Sequence, residues 1–216
     1  MQLFIFMTLA ARVAYNTIIQ VAGKFISVAM GLVAVAIMTR YLGQIGFGQY
    51  TTIITFLSFF AILADFGLTL VTAQMISQPA VDKNKILNNL FGLRLASAVV
   101  FIGLAPLIVF FFPYEETIKW GVVAAAVSFL PPALNQIFVG LFQNNLRLGR
   151  VSAAEIIGKI FLVIGIILGV RLDAGLTGVI AATVISSIVN FLALYFFTLR
   201  LVIIKPAFDR DAWREI

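Results

Sequence analysis

Five ionisable side chains, Lys24, Asp65, Arg94, Glu155 and Lys159, stand inside stretches that are otherwise apolar. A charge near the centre of a lone apolar helix costs about 2.5–3.5 kcal/mol to insert, so each needs a physical reason to be there. Three cations and two anions can brace one another, attract a charged ligand or carry a proton. Glu155 and Lys159 are spaced i, i+4, which sets them on one helical face where they can pair. A second group follows Pro131 and Pro132, with Asn135 and Gln136 one turn later. Proline removes a helical hydrogen bond and kinks the helix, and a broken helix beside amides can line a polar cavity. A kink that only aids packing is the plainer reading.

The zeros matter as much. Cys and His are both absent, which excludes thiolate nucleophiles, disulfides, histidine-ligated haem or zinc, and a Ser–His dyad. There is no P-loop, no paired-aspartate phosphotransferase motif and no carboxylate cluster with metal spacing. The residues point to binding and movement. They do not suggest an enzyme, and no metal or cofactor is expected.

The elements that hold these residues are set by composition. Of 216 residues, 62% are hydrophobic and 11% charged, against about 45–50% and 25% in soluble domains. Mean hydropathy is +1.10. A soluble domain needs charge to cover its wet surface, so an ordinary soluble fold is excluded and an all-α, polytopic membrane helix bundle is expected. A bilayer core about 30 Å thick needs roughly 20 apolar residues of helix. Six stretches meet that: 14–38, 50–74, 86–112, 117–142, 151–170 and 176–199. Between them lie glycines 43, 46 and 48, then Pro79 with Asp82 and Lys83, and Pro113 with Glu115 and Glu116. Arg147 with Gly149 and Arg150, and Arg171 with Asp173 and Gly175, complete the punctuation. The organisation expected is an interfacial segment at 1–13, a six-helix lobe over 14–199 and a polar cytoplasmic linker at 200–216. The opening stretch is apolar but lacks a basic leader, so it does not read as a signal peptide.

Orientation follows from the loop cations. One side carries Arg12, Lys83, Lys85, Arg147, Arg150, Arg200, Lys205, Arg210 and Arg214; the other carries Arg40, Lys119 and Arg171. Both termini are therefore expected in the cytoplasm. The net charge of +6 then reads as anchoring to membrane lipids and not as nucleic-acid binding. At 1.5 Å per residue, Lys24, Asp65, Arg94 and Lys159 lie about 12–15 Å from the cytoplasmic ends of their spans, and Glu155 about 6 Å. All five fall in the cytoplasmic half. A water-accessible vestibule lined by them explains that clustering; snorkelling of Lys24 and Arg94 with a structural Glu155–Lys159 pair is the alternative. Gly165 and Gly169 form a GxxxG spacing, common in membrane chains and weak evidence of anything but close packing.

One segment carries a resemblance. Residues 40–68 read RYLGQIGFGQYTTIITFLSFFAILADFGL: an Arg-Tyr-Leu-Gly turn, a Gly-Phe-Gly loop and a span closing on Ala-Asp-Phe-Gly-Leu. Gly43, Gly46 and Gly48 allow a tight hairpin, Arg40 and Tyr41 anchor at the outer interface, and Gly67 admits a close backbone approach beside Asp65. This pattern resembles the Wzx-type polysaccharide flippases of the multidrug/oligosaccharidyl-lipid/polysaccharide exporter superfamily. The Asn-Thr and Gln-Val-Ala pattern before Lys24 and the tail at 208–216 are similar too.

The resemblance implies a substrate, a lipid-linked oligosaccharide on a polyprenyl pyrophosphate, moved by alternating access with no covalent change. It implies a substrate cavity lined by Lys24, Asp65, Arg94, Asn135, Gln136, Glu155 and Lys159, whose excess of cations would attract pyrophosphate. Members of that family resemble two six-helix bundles in tandem. A chain of six spans is thus expected to be an N-terminal lobe of a longer protein, or a half-transporter that pairs with a second six-helix lobe. A lipid II flippase, a drug or cation exporter of the same superfamily, and a membrane scaffold for glycan synthesis are the other readings. The five buried charges sum to +1, which weighs against a cationic cargo.

Overall fold

The computed structural model describes residues 9–65, 67–77, 83–145, 147–199, 201–202 and 206–207. Residues 1–8 of the interfacial segment expected at 1–13, the punctuation at Pro79 and Asp82, and Arg200, Lys205, Arg210 and Arg214 of the linker lie outside them. So do the side chains of Arg12, Lys83 and Lys85.

The described residues are almost all helical, with no strand among them. In chain order the helices are α1 (Leu9–Asp65), α2 (Leu68–Ser77), α3 (Lys83–Ile108), α4 (Glu116–Ala126), α5 (Leu130–Asn144), α6 (Gly149–Arg171) and α7 (Gly175–Leu199). Short 3₁₀ turns follow α3 and join α4 to α5. Where the sequence reading places six spans, five helical stretches are long and apolar enough to cross a membrane: Ala14–Asp65, Leu87–Phe111, Glu116–Asn144, Gly149–Arg171 and Gly175–Leu199. The difference lies in the first, which joins two expected spans into one helical run.

That run is not straight. A 57-residue helix would extend about 85 Å, nearly three bilayer cores. Gly43 breaks it with φ 65° and ψ −173°, a conformation open essentially to glycine alone. Lys24 and Ala61 would stand about 55 Å apart along a straight helix, yet they line the same cavity. The chain therefore turns back at Gly43. Gly46 and Gly48 are helical, so the hairpin rests on one glycine and not on the expected three.

The second break is at Gly67, with φ 83°. It ends α1 after Asp65 and starts α2 at Leu68, so the expected span 50–74 is two pieces. Among the described residues a Cβ at Gly67 would meet nothing within 4 Å, so the glycine serves its left-handed backbone and makes no close approach to them.

The third break is at the prolines. Pro131 and Pro132 stand at the start of α5, after a 3₁₀ turn over Val127–Phe129. Pro132 has no N–H for the Ser128 carbonyl four residues back. The Ser187 hydroxyl of α7 donates to that carbonyl instead, at 2.6 Å.

Helices α6 and α7 pack through small residues. A Cβ at Gly165 would lie 2.8 Å from Ala182 Cβ, one at Gly158 would lie 2.8 Å from Asn190 Cβ, and Gly169 faces the backbone of Gly178. Close backbone contact of this kind holds apolar helices together where lipid supplies no hydrophobic drive. One apolar core joins the second half of α1 to α3 and α4 around Ile53, Leu57, Ala105 and Val122; another joins α3, α5 and α7 around Phe138 and Phe142. Many large side chains stay exposed, Phe25, Ile18, Leu32 and Phe111 among them, as a lipid-facing surface requires.

Candidate functional site

The five charges are sorted into two groups. Lys24 of α1 and Glu155 of α6 form an ion pair at 3.3 Å, with side chains 65% and 33% exposed. This corrects the i, i+4 pairing expected within α6, because Glu155 reaches across to α1. Lys159, one turn further along α6, forms no ion pair among the described residues. All three line a cavity of about 550 Å3 between α1, α6, α7 and the α4–α5 break.

Polar groups from α7 complete its wall: Thr183, Ser186, Ser187 and Asn190, with Tyr50 and Ser27 from α1. Their hydroxyls are already donated. Ser186 bonds the Gly158 carbonyl at 2.8 Å, Thr183 bonds the Val179 carbonyl at 2.9 Å, and Ser187 bonds Ser128. Each hydroxyl oxygen keeps lone pairs and remains an acceptor. With two lysines and one glutamate, the cavity carries a formal +1 and a row of acceptors. That α7 row repeats at three- and four-residue spacing, a helical stripe in the last span, and the sequence reading passed over it.

Asp65 and Arg94 form the second group. Arg94 is 3% exposed and pairs with Asp65. Its Nη2 also donates to Thr69 Oγ1 at 3.0 Å, and its Nε to the Ala133 carbonyl at 2.6 Å. Thr69 Oγ1 donates to Asp65 at 2.6 Å. One guanidinium thus ties the end of α1, the start of α2, α3 and the first turn of α5, at the point where two helices are broken. Its Nη1 has no hydrogen-bond partner among the described residues. Arg94 neither snorkels nor lines the larger cavity; with Asp65 and Gln136 it borders a recess of about 200 Å3. Asn135 is buried away from both and donates to Asn190 Oδ1 at 2.6 Å. Ala61, Phe129 and Pro132 border recess and cavity alike, so the two charged groups adjoin one another.

The end of the bundle at the Gly43 turn is pinned by hydrogen bonds between turns. Tyr41, just before the Gly43 turn, accepts from the Gly175 N–H at 2.7 Å and lies 3.2 Å from Asp173 Oδ1. Gln49 donates to Glu115 at 2.8 Å. The expected interfacial Tyr41 is thus also a tie between the α1 turn and the α6–α7 turn. A position the sequence reading missed is Gly92: a Cβ there would stand 2.0 Å from the Ala207 carbonyl oxygen. The Ala207 N–H donates to the Asn88 carbonyl at 3.1 Å, so the segment after α7 crosses directly over α3. The signal that marks Gly92, one glycine among charged and amide neighbours, is indistinguishable in sequence from any other helical glycine.

Long apolar helices, lipid-facing side chains and a polar chamber between helix breaks define a multi-pass membrane protein. Its matched region extends over residues 13–215, nearly the whole chain, and the chain belongs to the polysaccharide biosynthesis protein family. That membership points to membrane transport connected with polysaccharide synthesis. No curated protein and no solved structure matches the chain.

Proposed function

We propose that the chain is one lobe of a Wzx-type flippase, moving an oligosaccharide on a polyprenyl pyrophosphate across the inner (plasma) membrane, an O-antigen-like repeat being one such cargo. The observation behind this reading is the cavity in which Lys159 has no ion partner among the described residues and α7 offers a row of acceptors. Pyrophosphate is drawn to the lysines, and the attraction is stronger at membrane depth than in water. Sugar hydroxyls donate to the oxygens of Thr183, Ser186 and Ser187. A cationic drug would meet a cavity of the wrong sign.

In this reading each half of α1 crosses the bilayer once, giving six crossings with both termini on the cytoplasmic side and the five charges toward it, and the cavity receives newly made headgroups from the cytoplasm. A second six-helix lobe, in the same polypeptide or as a partner, forms the facing wall, and rocking of the two alternates access. No bond is made or broken, so the protein is a transporter and not an enzyme.

The test uses cells whose own copy of the gene is deleted. Lys159→Ala is expected to lower surface polysaccharide and raise inward-facing carrier-linked saccharide at normal protein level, with Lys159→Arg restoring export. Full export by Lys159→Ala overturns the reading.

A further inference from the structure

A third hollow adjoins the two already described. It is a groove of about 690 Å3 along the second half of α1, bordered by Ser58, Ala61, Ile62, Leu63, Asp65 and Phe129. It opens to the outside of the bundle, and Ile62 on its wall is 73% exposed. Its two polar members are engaged elsewhere: the Ser58 hydroxyl donates to the Ile54 carbonyl at 2.7 Å, and Asp65 holds Arg94. What remains for a ligand is apolar.

Ala61 and Phe129 border all three hollows. The apolar groove, the Arg94 recess and the lysine cavity therefore meet at one place. Ala61 is too small to close that junction. Phe129 belongs to the 3₁₀ turn between α4 and α5, the stretch where the helix is broken.

An amphipathic cargo needs this combination: a polar chamber for its head, an apolar path for its tail, and a junction where the two join. We infer that the groove holds the first stretch of the isoprenoid tail of the cargo, with Phe129 as the boundary between tail and head. The inference rests on the flippase reading and specifies how its substrate lies. From Ser58 to Asp65 the groove follows about 10 Å of helix, so it guides only the part of the tail nearest the pyrophosphate. Moving a tail from bilayer to groove brings no hydrophobic gain, since lipid is as apolar as the wall. The groove therefore orients the carrier, and its occupancy depends on the head being seated in the cavity.

The experiment places photoreactive benzoyl-phenylalanine at Ile62 or, as a lipid-facing control, at Phe161 of the full chain. Vesicles contain polyprenyl pyrophosphate carrying a labelled saccharide. Position 62 is expected to capture label several-fold more than position 161, and Ala61→Trp, which fills the junction, to abolish the difference. Equal capture at 62 and 161 overturns the inference. Binding of a tail-less saccharide pyrophosphate, with and without Lys159→Ala, is measured alongside. If that analogue binds through Lys159 while capture is equal, the groove assignment alone fails; if it does not bind, the flippase reading fails with it.

Discussion

The Asp65–Arg94 pair should respond asymmetrically to losing one partner or the other. The Arg94 side chain is 4% exposed and that of Asp65 is 38% exposed. Asp65→Ala leaves a guanidinium buried with only Thr69 and the Ala133 carbonyl for company. Stranding a buried charge costs about 3–5 kcal/mol, and the Arg94 side chain has almost no exposed surface of its own. Arg94→Met keeps the bulk of the stem and strands a carboxylate that solvent can reach. The lost bonds to charged groups are worth about 1.5–3 kcal/mol each before screening, and water at Asp65 returns part of that, leaving about 2 kcal/mol. The double variant removes both charges, so it should cost about 2 kcal/mol, well below the sum of the singles. Equilibrium unfolding of the detergent-solubilised protein, followed by circular dichroism, measures all three. Equal costs for the two singles, or a double variant equal to their sum, would refute the reasoning, because either outcome means that the guanidinium is not the buried member of a coupled pair.

Three further outcomes follow from the same geometry. Glu155→Gln raises the cavity from +1 to +2, and with Glu155 a third exposed this should tighten a tail-less saccharide pyrophosphate by about fivefold at low salt; the gain should fade as ionic strength rises, measured by titration calorimetry. Gly43→Val forces a branched side chain into φ 65°, ψ −173°, at a cost of about 1–3 kcal/mol, read as a lower midpoint of thermal unfolding; an unchanged midpoint would mean that the α1 turn does not need this backbone. Gly92→Val places a side chain where the Ala207 carbonyl lies, so the segment after α7 should detach and be cut faster by added protease, while the unfolding midpoint of the helical core changes little.

Much of the architecture was legible because a membrane imposes a simple constraint. With no water to satisfy backbone groups, an apolar stretch must be helical, so composition and run length located the long helical runs among the described residues, though not the continuity of α1 across Gly43 or its end at Asp65. Neighbours across helices were not legible. Glu155 was expected to pair with Lys159 because i, i+4 spacing is visible in sequence, but the Lys24 side chain is closer in space and takes the carboxylate. Arg94 was expected on the wall of a vestibule; its burial and its four-segment tie depend on where α2 and α5 begin, and that was set by the Gly67 and Pro131–Pro132 breaks.

The sequence by itself determined the class: a helical chain in a bilayer, free of thiol and imidazole chemistry, with five charges set inside apolar stretches. Spacing is local, and these are local consequences of side-chain chemistry and helix rise. Only the tertiary structure decided which charge is spent on a brace and which faces the cavity. That outcome depends on backbone turns at single glycines and prolines, which swing whole helices and so choose partners that lie more than a hundred residues apart.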